Sequence, residues 1–181
     1  MRIKRTNLDG VFEIENQKLK DHRGCFVKTF HQECFLEMGL ETNFKESFYS
    51  ISSQGVLRGM HFQLTPHDHA KLVYVTNGIV LDVVVNIRKE SNIFGEYYST
   101  KLSSENAKSL YIAKGFAHGF LTLSKSATVV YLTSTLYSAE HDAGILWNSF
   151  SCEWGGIVNP ILSERDSNFP TLSAFINPQD I

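Results

Sequence analysis

From Lys71 onward apolar residues recur at every second position in short stretches, and this period leaves the chain few folds to adopt. Ile79, Leu81, Val83, Val85 and Ile87 share one face of an extended segment, with Asp82 and Asn86 on the other, the pattern of a half-buried strand. Comparable stretches follow at Tyr97 to Leu102, Ser109 to Ile112, Gly119 to Leu123 and Thr128 to Leu136, separated by glycine, serine and asparagine. Short strands at such regular intervals predict a sandwich or barrel. Asn77-Gly78 is the pair that a tight type I′ turn favours, and it reads as a hairpin joining two of these strands. Helical signal is confined to 32–39 and to a start near Ser163, too little to carry a fold. The 181 residues contain no repeat, linker or low-complexity tract, so one all-β domain over 1–181 with short peripheral helices is expected.

Charge and composition then narrow the function. Hydrophobic residues make up 43% and charged ones 20%, with a net charge of -2 and no basic block. A chain without a clustered Lys/Arg face lacks the footprint for tracking a nucleic-acid backbone, although a small phosphorylated ligand fits. The apolar run from Gly78 to Ile87 is broken by Asp82 and Asn86 and is far too short to span a bilayer. Nothing after Met1 to Gly10 resembles a secretory signal, so a cytoplasmic location is expected. Cys25, Cys34 and Cys152 are odd in number and lack metal-ligand spacing, and they read as reduced thiols.

Neither a P-loop nor a dinucleotide fingerprint is present, which argues against redox or phosphoryl-transfer chemistry. The polar groups instead gather in Arg58-Gly59-Met60-His61-Phe62-Gln63, in Pro66-His67-Asp68-His69 with Lys71, and in Gly115-Phe116-Ala117-His118-Gly119. His67, His69 and His118 invite a metal reading, because imidazoles on adjacent strands can converge on one ion. The stretch after the His-x-His pair, Ala70-Lys71-Leu72-Val73-Tyr74, offers a cation where a carboxylate ligand is needed. No metal and no organic cofactor is the expectation.

The runs Gly55-Val56-Leu57-Arg58-Gly59-Met60-His61-Phe62-Gln63, Lys71-Leu72-Val73, Gly115 to Phe120 and Pro160-Ile161-Leu162-Ser163-Glu164-Arg165-Asp166 resemble, in this order, the dTDP-4-dehydrorhamnose 3,5-epimerase family. The likeness extends from Asp21-x-Arg23-Gly24 through Arg88 and Glu140-His141 to Asp166. It implies a cupin-type jelly roll, a homodimer with an exchanged N-terminal strand, and cofactor-free epimerisation at C3, C5 or both of a nucleoside-diphosphate 4-keto-6-deoxy sugar. By the same resemblance His61 is the base, Asp166 orients its imidazole, Lys71 faces the developing oxyanion and Tyr131 returns a proton from the opposite face. Arg58, His118 and Gln63 are expected to contact substrate. These residue types suit the reaction: a ketone acidifies both neighbouring C–H bonds, and inversion needs a base, an acid opposite it and a cradle for the enolate.

Several assignments have competitors. Ser163-x-x-Asp166 also fits a helix capping box, with the carboxylate serving the first turn. Tyr137, six residues after Tyr131, falls on the same face of an unbroken strand and is the alternative acid. Arg23 and Phe26 match the family's ligand-contact region, while Lys28 stands where a glutamate is usual, and Glu46 and Phe48 stand where a Gln-x-Asn pair is common. Thymidine, cytidine and guanosine sugars all remain open on these residues. The competing functions are a metal-dependent cupin enzyme using His67, His69 and His118, a non-catalytic sugar-nucleotide binding module, and a ketoisomerase of the same fold.

Overall fold

The computed structural model of the protein describes residues 1–175. The strands are β1 (Arg2–Arg5), β2 (Val11–Glu15), β3 (Gln17–Asp21), β4 (Gly24–Lys28), β5 (Glu46–Ser53), β6 (Leu57–Gln63), β7 (Lys71–Asn77), β8 (Ile79–Asn86), β9 (Tyr97–Ser103), β10 (Lys108–Ile112), β11 (Phe116–Thr122), β12 (Ser126–Thr133) and β13 (Asp142–Gly144). They form a six-stranded sheet, β1-β2-β10-β7-β12-β5, and a five-stranded sheet, β13-β6-β11-β8-β9, with β3 and β4 as a separate hairpin. The ladders are antiparallel, and the fold is the cupin-type jelly roll expected. Two short helices, α1 (Gln32–Glu37) and α2 (Glu164–Ser167), lie at the periphery where helical signal was read. Among the described residues no helix is long and apolar enough to cross a membrane.

Alternation of side chains sorts the core into layers. Val73, Val75 and Val129 from the first sheet meet Val80, Val84, Phe116 and Phe120 from the second, filling the barrel interior. The outer face of the five-stranded sheet buries Met60, Val83, Val85, Ala117 and Leu121 under Ile145, Trp154 and Leu172 of the C-terminal segment. The outer face of the six-stranded sheet buries Ile14, Leu72 and Tyr111 under Phe35 of α1.

This layering corrects two expectations. Strand β8 is not half-buried: Val83 and Val85 pack outward against the C-terminal segment, while Val80, Asp82, Val84 and Asn86 are also buried. The C-terminal covering layer is invisible to a period-two reading of β8 alone. Asn77-Gly78 is not a hairpin turn either, because β7 and β8 belong to different sheets. Gly78 adopts φ +79, and a Cβ there would lie 2.1 Å from the Ser126 carbonyl, so the glycine serves a crowded corner between sheets. The predicted strand 128–136 stops at Thr133.

One register shift bears directly on the interior. On the β6–β11 ladder His61 pairs with His118 and Arg58 with Phe120, so β6 carries an extra residue between the two pairs. Strict alternation would send residues 58 and 61 to opposite faces; a bulge lets both face inward. Gly59 makes the close approach possible, since a Cβ at its φ of +137 would lie 2.6 Å from the Gly119 Cα.

Candidate functional site

At one end of the barrel the valine-rich interior gives way to a polar cavity of about 270 Å³. Its walls are Arg58, His61 and Gln63 of β6, Lys71 of β7, His118 of β11, Tyr131 and Thr133 of β12, and Glu46 and Phe48 of β5. All four residues expected to do acid–base work or hold its charge are here or touch it. Asp166 arrives from 105 residues away because the C-terminal segment hydrogen-bonds beside β6, Leu57 N–H donating to the Ile161 carbonyl at 3.0 Å. Ser163 then caps α2 by accepting the Asp166 N–H at 3.0 Å.

The capping-box reading is thus half realised. The Ser163 half exists, but the Asp166 carboxylate turns into the barrel, where Oδ1 meets His61 Nε2 at 2.9 Å and Oδ2 accepts the Gly59 N–H at 3.0 Å. Burial opposes ionisation of Asp166, yet the His61 contact and the Gly59 and Ser163 hydrogen bonds outweigh it and hold the carboxyl below its usual range. A buried carboxylate with one oxygen on the imidazole and the other anchored by the Gly59 N–H fixes that ring's tautomer and orientation. Phe169 adds an edge contact to the ring at 5.7 Å.

Lys71 donates from Nζ to the His61 carbonyl at 3.0 Å. Burial pulls its ammonium down to about 8, with Asp142 and Asp82 partly opposing the shift. Tyr131 moves the other way: burial pushes its phenol up, so that it stays protonated near neutrality. It stacks on Phe48, its register partner across β5–β12, with ring centroids 4.9 Å apart and 18° between planes. Arg58 donates from Nε to Ser52 Oγ at 2.9 Å, leaving the rest of an exposed guanidinium at the cavity.

His118 brings in a residue that sequence reasoning had passed over. Its Nε2 contacts both carboxylate oxygens of Asp82, at 3.0 and 2.9 Å, in a fully buried pair. The available signal was a single carboxylate inside Val80-Leu81-Asp82-Val83-Val84-Val85, where burying an unpaired charge is too costly to be incidental. Asp142 and Arg165, joined at 2.8 Å, were likewise missed and line the rim.

Gln63 lines the cavity, but its amide is engaged by protein. It donates to the carbonyls of His67 at 2.8 Å and Leu136 at 3.2 Å, contacts His69 Nδ1 at 3.1 Å, and accepts the Ser138 N–H at 2.7 Å. Tyr137 lies beyond the end of β12, so the same-face argument does not apply to it. It is exposed at the rim, its hydroxyl donating to Asp142 at 3.2 Å and its N–H to Glu46 at 3.1 Å. Arg23, Phe26 and Lys28 sit on the exposed β3–β4 hairpin and are not among the residues lining this cavity. Arg23 is paired with Asp21.

The three histidines of the metal reading do not converge. His118 is held by Asp82, His69 contacts Gln63 and Thr135, and the His67 ring packs on His141 at 4.5 Å. Burial, aided by Lys71 and Lys114, drives the His69 imidazole down to about 3. Among the described residues no three metal-ligating side chains gather.

Comparisons with known proteins agree with the geometry. The family model described as dTDP-4-dehydrorhamnose 3,5-epimerase matches residues 5–174. The dTDP-4-dehydrorhamnose 3,5-epimerase of Shigella flexneri is 42% identical over 171 residues, covering 93% of this chain and 94% of that one. A dTDP-6-deoxy-D-glucose-3,5-epimerase from Legionella pneumophila, solved in complex with dTDP-4-keto-L-rhamnose, superposes with a TM-score of 0.92 at 34% identity, covering 97% of this chain and 94% of that one. A 3'-monoepimerase from Streptomyces bikiniensis, solved with dTDP-quinovose, gives a TM-score of 0.89 at 30% identity, covering 94% and 87%.

Proposed function

The chain belongs to the dTDP-4-dehydrorhamnose 3,5-epimerase family, and from that premise we propose that its cavity inverts carbons flanking the C4 ketone of a dTDP-linked 4-keto-6-deoxyhexose. The observation that carries this reading is an opposed pair. His61, backed by Asp166, projects from the five-stranded sheet, and the protonated phenol of Tyr131 projects from the six-stranded sheet.

His61 takes a proton from C3 or C5, and the electron pair of the broken C–H bond moves into the enolate with its charge on the C4 oxygen. Asp166 stabilises the imidazolium that forms. Lys71, protonated below about pH 8, supplies a buried cation for the oxyanion. Tyr131 delivers a proton to the face opposite His61, the ketone re-forms, and solvent restores both groups to their starting states. Arg58 offers a planar fork to the diphosphate, and His118, oriented by Asp82, holds the sugar.

The assembly is proposed as a homodimer with an exchanged N-terminal strand. Supporting it, β5 is an edge strand whose outward Tyr49 and Ile51 are 67% and 61% exposed, and the β3–β4 hairpin displays Leu19 and Phe26 to solvent. A partner's hairpin would bring Arg23, Phe26 and Lys28 to the nucleotide end of the substrate.

Proton NMR in deuterium oxide tests the reading, with the 4-keto-6-deoxyhexose offered on thymidine, cytidine and guanosine diphosphates. Deuterium at C3 or C5 with inversion is expected on the thymidine sugar, and His61→Ala abolishes it. Near-normal exchange in that variant removes His61 from the mechanism. Exchange without inversion is expected for Tyr131→Phe; intact inversion would transfer the acid's role to Tyr137 or water.

A further inference from the structure

Strand β5 presents alternate side chains to the cavity side of its sheet: Glu46 binds the Tyr137 N–H, Phe48 stacks on Tyr131, and Ser52 binds Arg58. Phe48 stands apart within this row. It is a large apolar side chain left 48% exposed at the mouth of a polar cavity, and one face of its ring is spent on Tyr131. The other ring near Tyr131 is His118, which meets it edge-on at 6.1 Å. The ring therefore lies between a parallel ring and a perpendicular one, while Ser50 of the same row meets its hydroxyl, so Phe48 governs the tilt of the ring and Ser50 the O–H.

We infer that Phe48 is a positioning residue that decides how often proton abstraction ends in inversion. The inference rests on Tyr131 as the acid. An enolate in this cavity has two fates: His61 returns a proton to the face it came from, giving exchange without inversion, or Tyr131 protonates the opposite face. The partition depends on whether the phenol O–H stays within reach of the carbon while the enolate lasts, and small misplacements of a reacting group are costly. A stacked aromatic pair shifts the population of its geometry by about fivefold. Phe48 thus acts on the inversion-to-exchange ratio rather than on substrate affinity.

The experiment compares wild type, Phe48→Leu, Phe48→Tyr and Tyr131→Phe as full chains in deuterium oxide, measuring KM, solvent exchange and inversion at each carbon. Phe48→Leu should lower inversions per exchange by about fivefold while holding KM within about twofold. Phe48→Tyr, which keeps the stack, should restore the ratio. An unchanged ratio in Phe48→Leu overturns the inference, as does a raised KM with the ratio intact, which would make Phe48 a ligand contact. Equal loss of exchange and inversion, not restored by tyrosine, also overturns it. A second readout needs no turnover: in protein carrying 3-fluorotyrosine, the fluorine line absent from Tyr131→Phe should shift or broaden in Phe48→Leu, and an unmoved line overturns the inference. If wild type exchanges no proton, or Tyr131→Phe inverts normally, the catalytic reading fails, and the fluorine line alone decides whether Phe48 holds the ring.

Discussion

His61 and His118 are register partners on adjacent strands, and each has its own buried carboxylate: Asp166 for the first and Asp82 for the second. The two carboxylates have different origins. Asp82 sits on the neighbouring strand of the same sheet, whereas Asp166 is delivered by a C-terminal segment that crosses beside β6. Damage to one pair should therefore be separable from damage to the other.

Replacing Asp82 with alanine leaves the His118 imidazole buried without its partner, a loss of about 1–3 kcal/mol. Urea unfolding should show the drop in midpoint, and Asp82→Asn, which keeps one acceptor, should recover part of it.

Asp166→Asn preserves shape but changes what His61 is bonded to, and kcat should fall by about 100-fold or more with a smaller change in KM. Its folded carboxyl lies below the ordinary value, so the stability it contributes is full above the unfolded pKa and is lost as pH falls through the folded one. Acid unfolding curves of wild type and Asp166→Asn should converge toward low pH.

Lys71 gives opposite signs for activity and stability. Its folded pKa of about 8 lies below the ordinary 10.5, so between these values the unfolded chain binds more protons and stability rises with pH. Activity should instead fall as pH climbs through about 8, where the cation facing the oxyanion is lost. Lys71→Met should raise Tm, remove that rise in stability and lower kcat; a variant with wild-type kcat would dismiss the ammonium from the mechanism.

Gln63→Leu removes a buried amide that ties the segment at 136–138 to β6. Stability should fall by about 1–3 kcal/mol, and Tyr137 should exchange its amide hydrogen faster than in wild type.

Chelation discriminates the metal reading from the acid–base one. Protein dialysed against a chelator, with metal content checked by mass spectrometry, should exchange and invert at the untreated rate, since His67, His69 and His118 are each engaged elsewhere.

Period-two alternation was enough to imply a β sandwich or barrel, because side-chain direction along a strand is a local property of the backbone. The polar runs around His61, Lys71 and His118 also stood out in the sequence, and the resemblance to the epimerase family assigned roles to them and to Asp166. Four things depended on the folded chain. Asp82 became a partner of His118 only when β8 and β11 were paired, and β8 proved buried on both faces only once the C-terminal segment covered it. Asp166 became part of the site through the crossing beside β6 and not through its place in a capping motif. Arg58 and His61, three residues apart, share the interior because Gly59 lies against Gly119 and β6 bulges there. Local pattern sets which residues can face a core; which of them meet is a matter of register and long-range chain crossing, which no single segment encodes.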